Sequence, residues 1–450
     1  MKSTSNKINK NNDVSRRKFC KNTAIATSGL LATSLPLKSM GHIQENKRLK
    51  LAVVGCGGRG SGAVVQALNA DDNVELVAMA DAFKDRIESS LKGIKENFSD
   101  IKRINVDEKS LFTGFDAYKK AIDKSDVVIL ATPPGFRPQH FEYAIANDKH
   151  VFMEKPLATD APGIKRVLET AKVAKQKRLN VVVGLQRHYE NKYINILKKI
   201  EKGEIGKIVS GQVYWNDAGV WVKNRETGQS ELEYQMRNWY YFNWLCGDHI
   251  LEQHIHNIDV ANWFIGSYPV SAQGMGGREV RKGIEYGEIF DHHFVEFTYE
   301  DGAVISSQCR HQKGTMLRVD EVFQGTKGSI VMGKGEIKNL SGDVIYTYPN
   351  TNYWESDNEP NPYQVEHDKL FESIRNSNVI SNAEYGAKST LTAIMGRMAT
   401  YTGKKISWEQ VLNSKQKLVP DNLNWNSTPP TLPNEKGEYE IPKPGITTID

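Results

Sequence analysis

From Lys50 to Val183 short, continuously apolar runs alternate with stretches of helical period. That is the pattern of a doubly wound parallel sheet, whose strands are covered on both faces. The runs are Leu51–Val54, Val74–Ala80, Asp126–Leu130, His150–Met153 and Asn180–Leu185. Past Tyr189 the pattern changes to separate strand-like segments at Ile208–Asn216, His292–Tyr299, Ala303–Gln308 and Arg318–Gln324. Between them, a helix is predicted to start at about Asp248, an N-cap residue type. It is two-sided: Leu251, Ile255, Ile258 and Asn262 make one face, and His249, Glu252, His256 and Asp259 another. Pro362 to Tyr401 reads as two helices, the second about Ala383–Tyr401, packed back on the first half. From Leu418 the tail is rich in Pro and Asn and is expected to be irregular, wrapping the body or a neighbouring subunit. The expected division is 1–46 leader and linker, 47–185 nucleotide domain, 186–406 substrate domain and 407–450 tail.

Charge changes the picture at one end only. The formal net charge is +5, but residues 1–21 hold seven Lys/Arg against Asp13, so the rest of the chain is close to neutral. No nucleic-acid or polybasic membrane partner follows from that balance. Within the basic segment, Ser15–Lys21 reads S-R-R-x-F-x-K and precedes a mildly apolar run from Ala24 to Leu35, a twin-arginine export leader. No A-x-A cleavage site is visible between Leu35 and His42, so the leader is either removed or kept as an anchor. An exported, periplasmic protein is expected, with the export machinery as a partner. Roughly 400 residues follow, enough for two domains, and no later apolar stretch reaches the ~18 residues of a membrane span. Of the four cysteines, only Cys246 and Cys309 could pair, and free buried thiols are the preferred state.

The chemistry starts at Gly55-Cys56-Gly57-Gly58-Arg59-Gly60, a G-x-G-x-x-G opening directly after the first strand. Gly55 serves the tight turn, Gly57 the approach to a pyrophosphate, and Gly60 close packing of helix on strand. The free N–H groups at that helix start hold phosphates. The second strand ends in Asp81, 21 residues past Gly60, placed to accept hydrogen bonds from ribose hydroxyls. A carboxylate there favours NAD; nearby Arg86 leaves NADP open. A nucleotide loaded before export has no external pool to exchange with, so it must stay bound and be regenerated in the site.

Ala131-Thr132-Pro133-Pro134 followed by His140, then Glu154-Lys155-Pro156 at the end of a strand, complete a series of motifs. In this order, with the glycine loop and Asp81, the chain resembles the Gfo/Idh/MocA family, which includes glucose–fructose oxidoreductase and inositol dehydrogenase. The resemblance covers nearly everything after the leader. It implies an α/β protein: an N-terminal Rossmann domain plus a C-terminal α+β domain with a large open mixed or antiparallel sheet. It implies that Lys155 sits beside the nicotinamide and the reacting hydroxyl, where an ammonium steadies developing alkoxide charge. The cofactor set is then Gly55, Gly57, Gly58, Arg59, Gly60, Asp81, Thr132, Pro133, His140, Glu154, Lys155 and Gln186.

The same resemblance puts Glu252, His256 and Asp259 on the helix lining the site. His256 would be the general base or acid, its imidazole pKa lying near working pH, with Glu252 or Asp259 orienting it. Glu252 stands where an inositol dehydrogenase would show Asp. Tyr189, Arg237, Trp239, Asn243 and His249 are candidate substrate contacts. Two other readings of the polar stripe stay open: a metal cluster of His249, Glu252 and His256, and a hydrogen-bond network without chemistry. The preferred reading has no metal. Of the aromatic residues Trp239, Tyr240, Tyr241 and Trp244, most are expected in the core. The charged segment Asp217–Tyr234 is placed to shape specificity.

Three functions compete. The first is NAD(P)-dependent oxidation of a sugar or sugar derivative, in a homo-oligomer. The second is a redox-neutral hydrolase or lyase working through a transient keto-sugar with the same residues. The third is a sugar-binding protein on an enzyme scaffold, against which Lys155 and His256 argue.

Overall fold

The computed structural model describes residues 47–350 and 359–448; the predicted leader lies outside them. Six parallel strands, β1 (Leu49–Val54), β2 (Val74–Asp81), β3 (Leu111–Thr113), β4 (Val127–Leu130), β5 (His150–Met153) and β6 (Val181–Val183), form the first sheet. Their order is β3-β2-β1-β4-β5-β6. Strand order reverses between β1 and β4, so the loops leaving these two strands splay apart and open a crevice at the sheet's carboxyl edge. All six residues of β1 except Lys50 are buried, as the unbroken apolar run requires.

The second sheet has nine strands: β7 (Ile208–Asp217), β8 (Ser271–Gly277), β9 (His292–Thr298), β10 (Val304–His311), β11 (Arg318–Gly325), β12 (Gly328–Val331), β13 (Glu336–Asn339), β14 (Val344–Thr347) and β15 (Ile406–Ser407). Their order is β14-β13-β12-β11-β7-β10-β9-β8-β15. Only the β7–β10 pair is parallel, so the sheet is mixed, as expected. Burial alternates along β9 and β10, which places one face on the helices Ile255–Ile265 and Ala383–Thr402.

Both late helices appear, at Pro362–Arg375 and Ala383–Thr402. The first packs on the nucleotide half through Arg375 with Asp71 and Gln364 with the carbonyl of Gln66. The tail is irregular beyond a short helix, Trp408–Asn413, and wraps this chain's own body. Leu418 N bonds Asp160 Oδ2 at 2.7 Å, and the Trp425 ring lies 4.8 Å from Phe115 and 5.3 Å from Phe83. Cys56, Cys246 and Cys309 are free and buried. Among the described residues, no helix is long and apolar enough to cross a membrane.

One predicted element is corrected. The single helix from Asp248 is two: His249–Glu252 and Ile255–Ile265. At the break the N–H of His254 reaches back five residues to the carbonyl of His249, and the His254 ring is drawn into the sheet by Ser307 Oγ at 2.7 Å. A helical stripe cannot survive that interruption, and the four polar residues part company.

Candidate active site

The crevice is a cavity of about 560 Å3 lined by Gly55, Gly57, Gly58, Arg59, Gly60, Asp81, Thr132, Pro133 and His140 among others. The glycines divide the work as their spacing predicts. Gly55 has φ +99° and lies so close to β4 that a Cβ would stand 2.5 Å from Thr132 N. A Cβ on Gly60 would stand 2.0 Å from the Gly55 carbonyl oxygen, whereas one on Gly57 or Gly58 would meet nothing within 4 Å. The loop is therefore tight against the sheet and open toward the crevice. The helix it starts, Gly58–Ala70, has no side-chain cap and no acid in its first turn, leaving its N–H donors free for an anion. Asp81 accepts from Cys56 N at 2.7 Å and Phe83 N at 3.0 Å. Burial raises its pKa. An open cradle of N–H donors with a carboxylate on its rim fits a dinucleotide with a free ribose 2′-hydroxyl.

Arg59 leaves this loop toward a second cavity of about 220 Å3. The two cavities share Arg59, Ala131, Thr132, Trp221 and Trp239 in their walls. The second is further lined by Arg137, Glu154, Lys155, Tyr240, Glu252 and Gln253. Arg59 pairs with Glu154 and, at 2.9 Å, with Glu366. Burial opposes its charge, but those two carboxylates hold it protonated. Lys155 Nζ donates to the Glu252 carbonyl oxygen at 2.7 Å and lies 3.8 Å from Glu252 Oε2. Burial raises the Glu252 pKa, against the pull of Lys155 and Arg137. The result is one ammonium beside one carboxyl group with a raised pKa on the wall of the second cavity.

The other predicted residues fall into three groups. His256 is 6 % exposed, with Nδ1 unpartnered and its ring stacked 5.9 Å from Trp215. Burial and then Lys155 push its pKa well down, so it is a neutral base just behind the wall. Arg237 and Trp239 do line the crevice, but Arg237 sits at its Asp81 end, over the Phe83 ring and paired with Asp85. The remainder lie off both cavities. Asp259 bonds His188 and Ser389, each at 2.7 Å. Tyr189 bonds Asn382, Asn243 accepts from Tyr401, and Gln186 is buried elsewhere. His249 turns into a separate cluster with Asp248. The alternative metal set of His249, Glu252 and His256 is thus not assembled. Tyr240, Tyr241 and Trp244 are buried, as expected of core residues.

Two wall residues, Arg137 and Trp221, went unread in the sequence, and Tyr240, expected in the core, is buried there and also reaches the wall. Arg137 donates to the carbonyls of Pro156 and Thr132, clamping the turn that carries Lys155. Burial lowers its pKa to about 10. The Tyr240 hydroxyl is buried with no partner, and Trp221 borders both cavities. Trp221 falls in the segment flagged for specificity; Arg137, three residues past the Pro133-Pro134 pair, carried no signal beyond its position.

A dinucleotide crevice joined to a second, charged cavity is the arrangement of a two-domain NAD-binding protein. The chain belongs to the Gfo/Idh/MocA family. Residues 49–184 match its oxidoreductase family NAD-binding Rossmann fold and residues 193–331 match the GFO/IDH/MocA C-terminal domain. Inositol 2-dehydrogenase of Rhizobium meliloti is 25 % identical over 217 residues, 48 % of this chain and 59 % of that protein. The 2,7-anhydro-N-acetylneuraminate hydratase of Escherichia coli is 27 % identical over 208 residues, 46 % of this chain and 50 % of that protein. The chain thus spans little more than half the length of these curated relatives. In structure, scyllo-inositol dehydrogenase from Lactobacillus casei with bound NAD(H) and scyllo-inositol aligns with TM-score 0.59 and 20 % identity, over 81 % of this chain and all of that one.

Proposed function

We propose that this protein is an NAD-dependent oxidoreductase of a sugar or polyol hydroxyl, with a tightly held cofactor. The observation that carries this reading is Lys155, which stands on the wall of a polar cavity adjoining the dinucleotide crevice, paired with Glu252. NAD, when bound, supplies the hydride acceptor. Lys155 has donors to spare beyond its bond to the Glu252 carbonyl, and these can hold the reacting hydroxyl and steady the charge on its oxygen. His256, neutral and unpartnered at Nδ1, can take up the proton. Arg137 fixes the backbone that carries Lys155 and adds positive charge to the same wall. Trp221, Trp239 and Tyr240 supply aromatic faces and one free hydroxyl for a ring substrate.

One feature favours the redox-neutral alternative. A carboxyl group whose pKa is raised by burial, as that of Glu252 is, is the kind of donor that departure of a glycosidic substituent needs. Similarity to a hydratase is in keeping with that scheme. Incubation with free sugars, polyols and glycosides separates the two readings. Reduced nicotinamide or an oxidised sugar supports the oxidoreductase; released glycone without net oxidation supports the lyase. If neither arises with any carbohydrate, both readings fail.

Export by the twin-arginine route is part of the proposal and rests on Ser15–Lys21. Arg16→Lys with Arg17→Lys should leave the protein in the cytoplasm of its host; unchanged export would refute it. A homo-oligomer is proposed for the assembled enzyme, to be read from its mass in solution.

A further inference from the structure

Behind Tyr240, away from both cavities, lies a second polar cluster that the oxidoreductase chemistry does not use. Asp248 and His249 are fully buried, and His293 on β9 is 3 % exposed. Their hydrogen bonds fix the tautomers. His249 Nδ1 is 2.7 Å from Asp248 Oδ1 and donates to it, so Nε2 carries a bare lone pair. His293 Nδ1 is 2.9 Å from Thr400 Oγ1. The hydroxyl proton of Thr400 goes to the Arg397 carbonyl at 2.9 Å, so Thr400 accepts and His293 Nδ1 must be the donor. His293 Nε2 is then also bare, and it faces Asp248 Oδ2 at 3.2 Å.

Neither Nε2 has a hydrogen-bond partner. A lone pair set against a carboxylate oxygen in a dry interior is repulsive unless something positive lies between them. Asp248 Oδ2 already accepts from Phe290 N at 3.0 Å and Tyr401 Oη at 2.5 Å, so neither of those donors serves the rings. One ligand atom from each of Asp248, His249 and His293 can be chosen so that all lie within 4.8 Å of one another.

We propose that Asp248, His249 and His293 bind a divalent transition-metal ion, zinc by the chemistry of the set. Two imidazole nitrogens and one carboxylate are a zinc donor set, with bonds of about 2.0–2.2 Å. His311 is not a ligand: its Nδ1 is held by Arg281 at 2.9 Å, and its ring packs 4.6 Å from His249 as a supporting wall. The ion ties the short helix His249–Glu252 to β9 and, through Tyr401, to the long helix Ala383–Thr402. The short helix ends in Glu252, so the ion is a positioning device for the cavity wall. This site is distinct from Lys155 and stands whether the enzyme oxidises or eliminates.

The test is elemental analysis of the full-length protein, purified without metal-affinity resin and dialysed, with melting followed in parallel. About one equivalent of zinc per chain is expected. It should survive dialysis and be lost from His293→Gln and Asp248→Asn, while His292→Gln, next door and half-exposed, keeps it. A strong chelator should lower the melting temperature of the wild type by several degrees, and zinc should restore it. This measurement does not depend on either variant folding. Metal-free wild-type protein whose melting is unmoved by added zinc, cobalt or manganese would overturn the proposal.

Discussion

The dinucleotide crevice and the cavity wall beside it are built on opposite plans. The crevice recognises its ligand with main-chain N–H groups and empty space, so its demands fall on residues that must lack a side chain: Gly55 and Gly60, where the fold leaves no room for one. The wall is made of buried charge. Arg59, Glu154, Glu366, Lys155, Glu252 and Arg137 lie in one connected set, and removing one leaves another uncompensated in a low dielectric. A crevice of that kind is broken by adding atoms, and a wall of that kind by removing them. The first failure shows in cofactor affinity, the second in turnover.

The sharpest break is Lys155→Ala. Loss of general acid–base and electrostatic help costs about 10³–10⁴ in kcat, or about 4–5 kcal/mol. NAD binding should be kept, as single-turnover kinetics with a fluorescence titration of the nucleotide would show. Next is Gly60→Ala, whose new methyl group meets a backbone oxygen that cannot rotate away. Overpacking of this kind costs about 3 kcal/mol, read as a lower melting temperature together with lost NAD affinity. Asp81→Ser comes third. Removing the charged ribose acceptor should weaken NAD about 10- to 100-fold and narrow its preference over NADP, checked by binding both nucleotides.

The smallest effect, over the first pH unit below 6.5, is a pH dependence on the crevice side. Burial holds His140 down to a pKa of about 3. Its folded pKa lies below the unfolded value near 6.5, so the stability it contributes is present above that value and is lost as pH falls toward the folded one. The loss is about 1.4 kcal/mol for each pH unit below 6.5. His140→Gln should flatten that part of the acid limb in denaturant melts.

How much of this was legible in sequence follows the same division. Backbone recognition imposes a spacing, and spacing is visible: the glycine loop, Asp81 and the strand ends before Thr132 and Lys155 fall where the pattern puts them. Buried charge leaves no periodic trace, so Arg137 was missed, and Asn243 and Tyr189 were credited with contacts they spend inside the core. The polar stripe failed for a specific reason. Gln253 and His254 fit a helical repeat, and only the bond from His254 to Ser307, a contact distant in sequence, breaks the helix. Strand β8 escaped because its glycines look like a turn. Gly274 and Gly276 are instead needed where β9 passes, with a Cβ at Gly274 standing 2.3 Å from the Phe294 carbonyl oxygen.

The central claim is that a carbohydrate hydride passes through the junction of the two cavities, whatever the final product. It is tested most directly by turning over sugars, polyols and glycosides deuterated on their ring carbons, denaturing the protein at intervals while turnover is in progress, and weighing the nucleotide it releases. The account predicts NAD(H) carrying one deuterium from the wild type and none from Lys155→Ala. Turnover of substrate by the wild type with no label ever reaching the nucleotide would contradict it.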